Sequence, residues 1–202
     1  MPGTKRAFYR SLERLQTDYL DLYLIHQPYS DVHGSWRAME DLYREGVIKA
    51  IGVSNFSPAQ LADLMTFNSI APMVNQVETH PFCQQWQATD FMQQHQITIE
   101  AWAPFAEGKN DIFTQPLLVS LAQRYHKSVA QIILRWLLQR NVVVIPKSVN
   151  PQRIAENFSV FDFSLTEQDM ATIATLDLGK PLIANHADPE RIKFIGTRRF
   201  AT

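Results

Sequence analysis

The sequence predicts an α/β fold in which a parallel sheet carries outer helices, arranged as a barrel rather than as a doubly wound sheet. Short β-branched or apolar runs alternate with longer amphipathic stretches, as strands and helices do. The short runs start roughly 25 to 45 residues apart, which is the length of a right-handed βα unit. The chain has seven glycines, and none forms the G-x-G-x-x-G turn usual in doubly wound sheets. A barrel is therefore the expected architecture.

The composition is that of an ordinary globular protein. The 202 residues, 46% of them hydrophobic, suit one domain or a large part of one. With 19 basic against 20 acidic residues, nothing in the charge favours a nucleic acid or an anionic membrane as partner. Cys83 is the only cysteine, which excludes an internal disulfide and indicates a reducing compartment, so we expect a cytoplasmic protein. No apolar run is long enough for a membrane span, and the polar start does not resemble a signal peptide.

The predicted elements follow one another from a helix over residues 5–16. Five strands are expected at residues 19–25, 48–54, 73–77, 97–102 and 142–146. Ser35 is expected to cap a helix that ends at Gly46, and Ser57 with Pro58 opens the next helix. Two further helices are expected over residues 128–139 and 150–157. Thr166 and Asp169 resemble a capping box for a last helix that ends at residue 176.

A polar or aromatic side chain stands at or just after the carboxyl end of every predicted strand. In chain order they are His26, Ser54 with Asn55, Gln76 with Glu78, Trp102, and Lys147 with Ser148. Barrel enzymes keep their chemistry at these ends, so the pattern predicts a shared site. A single one of them could equally be a satisfied core or surface group, and Glu78 is interpreted as a packed structural carboxylate rather than an acid.

Four segments carry a resemblance to one family: LDLYLIH at 20–26, KAIGVSNF at 49–56, VNQVE at 74–78 and IPKS at 145–148. In this order and spacing they resemble the aldo-keto reductase family, and EAWAP at 100–104 resembles its bacterial 2,5-diketo-D-gluconate reductase-like branch. The resemblance implies a (β/α)8 TIM barrel whose fourth through eighth strands are the five seen here. The expected domain is a single partial barrel over 1–202, truncated at its amino terminus.

The same resemblance implies an NADPH-dependent oxidoreductase that reduces an aldehyde or ketone to an alcohol. Of the family's aspartate, tyrosine, lysine and histidine, only the histidine is matched, by His26, and the other three are expected upstream of Met1. Turnover by this chain is therefore expected to be impaired. The alternative is a non-catalytic fragment that binds NADP(H) or serves as a structural or partnering piece. Tyr29 is the candidate substrate contact or substitute proton donor, because strand parity turns Tyr23 towards the outer helices.

The resemblance also implies the contacts of the cofactor. Trp102 would stack on the nicotinamide, and the residues expected to hydrogen-bond its carboxamide are Ser54, Asn55 and Gln76. The start of the helix after Asn150 would hold the 2′-phosphate, because free amides and the helix dipole favour an anion there. This favours NADPH over NADH, with the phosphate expected at Lys147, Ser148 and Arg153. The adenine is expected at Glu156 and Asn157, and the remaining implied contacts are Ala103, Pro104, Phe105 and Val149.

The expected partner is a small-molecule carbonyl substrate, and the sequence predicts no metal site. Full-length relatives are usually monomeric, whereas a partial barrel leaves two unpaired strand edges, so self-association of this chain is an open alternative. The stretch over residues 179–202 is either a solvated tail or a flap over the substrate. Gln27 stands where relatives often have a tryptophan, so an aromatic wall at that point is not expected.

Overall fold

The computed structural model describes residues 2–198, which form two compact units. The first unit comprises residues 2–76, 90–98 and 186–198, and the second comprises residues 77–89 and 99–185. None of the helices over the described range has the length and apolarity that crossing a bilayer requires.

The five predicted strands are present, and their order in the sheet is their order in the chain. They are β1 (Tyr23–Ile25), β2 (Ile51–Ser54), β3 (Val74–Glu78), β4 (Thr98–Trp102) and β5 (Val142–Val144). The pairs β1–β2, β2–β3 and β4–β5 are parallel, as predicted. The first strand is shorter than predicted, because Leu20 and Ile48 form only an isolated bridge before the regular ladder begins.

The helices alternate with the strands as expected of βα units. Those of the described range are α1 (Pro2–Leu15), α2 (Val32–Arg44), α3 (Pro58–Phe67), α4 (Trp86–Gln94), α5 (Pro116–Tyr125), α6 (Val129–Gln139), α7 (Pro151–Phe158), α8 (Glu167–Ala174) and α9 (Pro189–Thr197). A short 3-10 segment, Ala106–Asp111, follows β4. The predicted caps Ser57, Ser128, Asn150 and Thr166 are confirmed, each by a side-chain oxygen that accepts backbone N–H groups of its helix.

Two helix predictions were wrong. Asp31, not Ser35, caps α2: its Oδ1 accepts from the Gly34 N–H at 2.8 Å, so the helix begins at Val32. The helix after Thr166 is not the last one, because Asp188 caps a further helix, α9. The periodicity also did not predict two other helices, the short and polar α4 and the helix α5.

In the first unit, α2 packs its apolar face towards the strands. Trp36, Met39 and Leu42 recur at three-residue spacing and are fully buried or nearly so, as expected of an amphipathic helix. In β2, Gly52 cannot carry a side chain, because a Cβ there would lie 2.6 Å from both Leu24 Cδ2 and the Val74 carbonyl oxygen. The strands around Gly52 can therefore approach closely. Tyr23 faces α1, as strand parity predicted.

In the second unit, α6 is the central helix. Its fully buried residues are Ile132, Ile133, Leu134, Trp136 and Leu137. This helix is apolar on several faces because it contacts α5, β5 and α7. On α8, Asp169 accepts hydrogen bonds from Arg124 and Tyr125 of α5, which joins these two helices.

Candidate functional site

The ends of two neighbouring strands lie beside Gln76 of β3 in the first unit. The register places Ile25 beside Val53 and Ser54 beside Gln76, so the ends of β1 and β2 and Gln76 share one edge of the sheet. The Ser54 hydroxyl donates to the Gln76 carbonyl oxygen at 2.8 Å. The predicted juxtaposition of these strand-end residues is therefore present.

Asn55 links β2 to the end of β1. Its backbone is left-handed, with φ at 65°, a conformation that asparagine tolerates better than most residues. Its Nδ2 donates to the His26 carbonyl oxygen at 3.2 Å and to Ser54 Oγ at 3.0 Å. The backbone after β1 is thus fixed by the neighbouring strand, while the His26 residue remains exposed.

Tyr29, in the loop after His26, is hydrogen-bonded to the carboxyl-terminal segment. Its hydroxyl donates to the His186 carbonyl oxygen at 3.0 Å, and the two rings stack with centroids 6.5 Å apart. Burial raises the pKa of Tyr29 above its ordinary value. A bonded hydroxyl with a raised pKa is a poorer proton donor, which weighs against Tyr29 as a substitute acid.

Glu78, at the end of β3 in the second unit, binds a distant segment. It is 3% exposed, and its Oε1 accepts from the backbone N–H of Leu182 at 2.7 Å and of Ile183 at 3.0 Å, while Oε2 accepts from Ala184 N–H at 3.1 Å. Burial alone would raise the pKa of Glu78, but hydrogen bonds from His80 and these amides outweigh it and hold the pKa below 4.5. The structural interpretation of Glu78 is confirmed, and residues 179–185 are not a loose tail.

A cleft in the second unit gathers six of the predicted cofactor residues. Its volume is about 550 Å³. The predicted residues that line it are Phe105, Lys147, Ser148, Arg153, Glu156 and Asn157. The other lining residues are Phe113, Ser128, Val129 and Ala130. Trp102, Ala103, Pro104 and Val149 belong to the same unit but do not line this cleft, and Val149 is 83% exposed.

The cleft lies at the amino-terminal ends of two helices. Ser128 is the N-cap of α6, and α7 begins just after Asn150, whose Oδ1 accepts from the backbone N–H of Gln152 and Arg153. Helix amino termini carry partial positive charge, so they favour anions even where a side-chain cap already binds some of the amides. Lys147 and Arg153 add two full charges, and neither forms an ion pair within the described chain. The cleft therefore suits a phosphate.

The sequence did not reveal that α6 contributes to this cleft. The signal was present in the Ser128 cap, which predicts a helix amino terminus, but nothing local indicates that this terminus faces the loop after β5. Gln131 explains the arrangement: its Nε2 donates to the carbonyl oxygens of Glu156 at 3.2 Å and Ser159 at 2.8 Å, which holds the end of α7 against α6.

Similarities to known proteins cover most of the chain. Residues 3–178 match the Aldo/keto reductase family. The chain is 49% identical over 175 residues to the glyoxal reductase of Bacillus subtilis (strain 168), covering 86% of this chain and 63% of that protein. It is 44% identical over 181 residues to the methylglyoxal reductase DkgA of Escherichia coli (strain K12), covering 88% and 66%. Among solved structures, a Bombyx mori aldo-keto reductase in complex with NADP is 35% identical with a TM-score of 0.83, covering 94% and 66%.

Parallel strands in chain order with polar carboxyl ends define an α/β protein of the barrel class. Since the family match extends over most of its residues, the chain belongs to the aldo/keto reductase family. The resemblance and the incomplete barrel predicted from the sequence are thereby confirmed. The chain spans less than two thirds of the length of either bacterial relative.

Proposed function

We propose that this chain carries the NADP(H)-binding part of an oxidoreductase that reduces an aldehyde or ketone by hydride transfer. The observation that carries the proposal is the second-unit cleft, where Lys147 and Arg153 stand beside two helix amino termini. The Bombyx mori relative, solved with NADP, supports the same cofactor here.

The charges of the cleft favour NADPH over NADH. The two cofactors differ by the 2′-phosphate, and a guanidinium binds phosphate through paired, charge-assisted hydrogen bonds. Glu156 and Asn157 line the same cleft and offer acceptors and donors to an adenine. NADPH would supply the hydride when bound. The resemblance proposes Ser54, Asn55 and Gln76 as contacts of its carboxamide and, separately, Trp102 as the residue that stacks on the nicotinamide.

The proposed substrate is a small aldehyde or ketone whose carbonyl oxygen is oriented by His26. The relatives named glyoxal reductase and methylglyoxal reductase indicate a short α-oxoaldehyde as the first compound to test. A short α-oxoaldehyde needs few contacts beyond the imidazole and the loop that contains Tyr29. We infer a cytoplasmic location from the single cysteine, which is buried and unpaired.

A second candidate function is NADP(H) binding without efficient turnover. The hydrogen bond of the Tyr29 hydroxyl to the His186 carbonyl oxygen favours this candidate, because that hydroxyl is then not free to donate a proton to a substrate. Of the four residues that the resemblance assigns to catalysis, only His26 is matched in the sequence given. A positioned proton donor contributes about 10² to 10⁴-fold to a rate, so binding without one would give little turnover.

The cofactor proposal is tested by titrating the purified chain with NADPH and with NADH, following tryptophan fluorescence. We expect quenching that Trp102→Phe reduces, and tighter binding of NADPH. Arg153→Gln is expected to weaken NADPH binding roughly tenfold and to leave NADH binding unchanged, because one charge-assisted hydrogen-bonding group is lost. Arg37→Gln, which removes an exposed arginine of α2, is the matched control. Equal losses for both cofactors, or no NADPH binding by the folded chain, would refute the assignment.

The two candidate functions are separated by NADPH oxidation with methylglyoxal and glyoxal as substrates. Binding with turnover that His26→Gln lowers supports the reductase. Binding without turnover supports the second candidate. Turnover that His26→Gln leaves unchanged would contradict the role given to the imidazole.

A further inference from the structure

Arg153 has a side chain that the fold itself does not use. The residue is exposed, and over residues 2–198 its guanidinium forms no hydrogen bond and no ion pair, since only the backbone N–H is bound, by Asn150 Oδ1. Other arginines of the second unit are engaged: Arg124 is paired with Asp169, and Arg135 donates hydrogen bonds through all three of its nitrogens. Arg153 is therefore available to a ligand or to a reagent.

The cleft around Arg153 holds charged neighbours in a partly enclosed space of about 550 Å³. Glu156 follows Arg153 by three residues on α7, so their side chains lie on the same face of the helix, and Lys147 lines the same cleft. Phe105 and Phe113 form an apolar wall, with ring centroids 5.7 Å apart. Next to such a wall, electrostatic interactions are stronger than on an open surface. A small polar reagent in this cleft would therefore meet a carboxylate and an ammonium group beside the guanidinium.

Short α-oxoaldehydes, the class proposed above as substrate, are also reagents for arginine. Two guanidinium nitrogens add to the two adjacent carbonyl carbons, so that two C–N bonds form and each C=O group becomes C–OH. Two protons leave the nitrogens and two are taken up by the oxygens, nothing is oxidised or reduced, and the positive charge is retained. In the cleft, Glu156 is placed to accept a proton from nitrogen, and Lys147 stabilises the negative charge that develops on oxygen.

We propose that Arg153 is the preferred site at which an α-oxoaldehyde modifies this chain, and that bound NADPH protects it. The protection rests on the proposed function, because it requires the 2′-phosphate of the cofactor to lie against Arg153. The adduct closes two of the nitrogens into a ring, so Arg153 loses the paired, charge-assisted hydrogen bonds that a guanidinium makes to phosphate. An α-oxoaldehyde thus acts as substrate when NADPH is abundant and as inactivator when NADPH is scarce.

The first measurement is the rate at which methylglyoxal modifies each arginine in the absence of cofactor. Peptide mass spectrometry after proteolysis detects the adduct as the added mass of one methylglyoxal, with or without loss of one water molecule. Arg10 is the matched control, because it is exposed and has Glu13 three residues ahead and Arg14 beside it, but on the open face of α1. We expect Arg153 to react roughly tenfold faster than Arg10. Equal rates, or a faster reaction of Arg10, overturn the preferred site.

The second measurement repeats the reaction with NADPH present at about ten times its Kd. Modification of Arg153 should slow about tenfold and that of Arg10 should not change, because only the cofactor-free fraction of the chain reacts at Arg153. NADPH binding by fluorescence without protection of Arg153 overturns the protective role. If the chain binds no NADPH, the proposed function and the protection both fall, while the ratio of the Arg153 and Arg10 rates alone decides the modification site.

Two variants separate Arg153 from its surroundings, and both positions are exposed, so neither change threatens the fold. Lys147→Gln removes the ammonium group and should slow the modification of Arg153 about fivefold, with Arg10 unaffected. Once excess methylglyoxal has been removed, the unaltered chain should have lost NADPH affinity in proportion to the modified fraction of Arg153. Arg153→Gln should retain after treatment the NADPH affinity that it had before. An unchanged rate in Lys147→Gln, or an equal loss of affinity in Arg153→Gln, contradicts the proposal.

Discussion

Glu78 remains ionised inside the protein because donors surround it. Its folded pKa lies below the ordinary value of 4.5, although burial acts in the opposite direction. A lowered folded pKa means that the carboxylate stabilises the fold fully above pH 4.5 and loses this contribution as the pH falls through the folded pKa. The segment over residues 182–184, whose backbone N–H groups donate to Glu78, is therefore expected to be bound less tightly in acid.

The pH dependence of unfolding tests this prediction. We expect the difference in unfolding free energy between the unaltered chain and Glu78→Gln to be largest from pH 5 to 7 and to shrink below about pH 4.5. Urea denaturation at several pH values measures it, and the comparison at each pH cancels the other acids. A difference that grows as the pH falls would contradict a lowered pKa.

Tyr29 offers a second test on a single residue. Tyr29→Phe removes the hydrogen bond to the His186 carbonyl oxygen and should lower the unfolding free energy by about 1 kcal/mol. If the chain turns over, its rate should fall less than about tenfold, because losing a proton donor costs about 10² to 10⁴-fold. Urea denaturation and NADPH oxidation measure the two effects, and a loss of the larger size would identify Tyr29 as the donor.

At the scale of elements, the sequence predicts what is local. The caps Ser57, Ser128 and Asn150 were predictable because their oxygens bond amides two or three residues ahead. The prediction of Ser35 as an N-cap was wrong, because Ser35 lies within the first turn of a helix whose N-cap is Asp31.

The long-range parts of the site could not be predicted in the same way. Strand ends identified His26, Ser54 and Gln76, because the carboxyl ends of parallel strands share one edge. The hydrogen bonds between Glu78 and residues 182–184 were not predicted, because Glu78 and Leu182 are 104 residues apart and nothing local in either segment indicates the other. The contribution of α6 to the cleft was missed for the same reason.

Gln131 connects two elements and gives a prediction at this scale. Its Oε1 accepts from the Ser128 N–H in the capping box of α6, and its Nε2 holds the end of α7. Gln131→Ala should lower the unfolding free energy by about 2 to 3 kcal/mol and weaken NADPH binding. Gln60→Ala is the matched control, because Gln60 completes the capping box of α3 and, within the part of the chain that the structure describes, forms no hydrogen bond to a second helix. Gln60→Ala should lower the unfolding free energy by about 1 kcal/mol and leave NADPH affinity unchanged. Equal effects in the two variants would contradict the link between α6 and α7.

At the scale of the whole molecule, β5 ends the described sheet and has a strand partner on one side only. An apolar cleft of about 880 Å³ lies along this strand and α7. Several apolar side chains around it are exposed to a large extent, among them Val143 at 43%, Ile154 at 53%, Phe158 at 76% and Phe161 at 65%. Unpaired strand edges and apolar patches of this kind favour association with another chain.

Self-association through the β5 face is therefore the prediction for the isolated chain, with a second copy as the occupant. Sedimentation over roughly 1 to 100 µM should show a mass that rises with concentration. Val143→Lys together with Phe158→Ser should lower the association constant about tenfold or more, because a charge is placed on the edge and apolar surface is removed. Phe67→Ser removes a phenylalanine that is 68% exposed on α3 and should leave the mass unchanged. A monomeric mass at every concentration, or an equal effect of the α3 variant, would show that the β5 face does not join two copies of this chain.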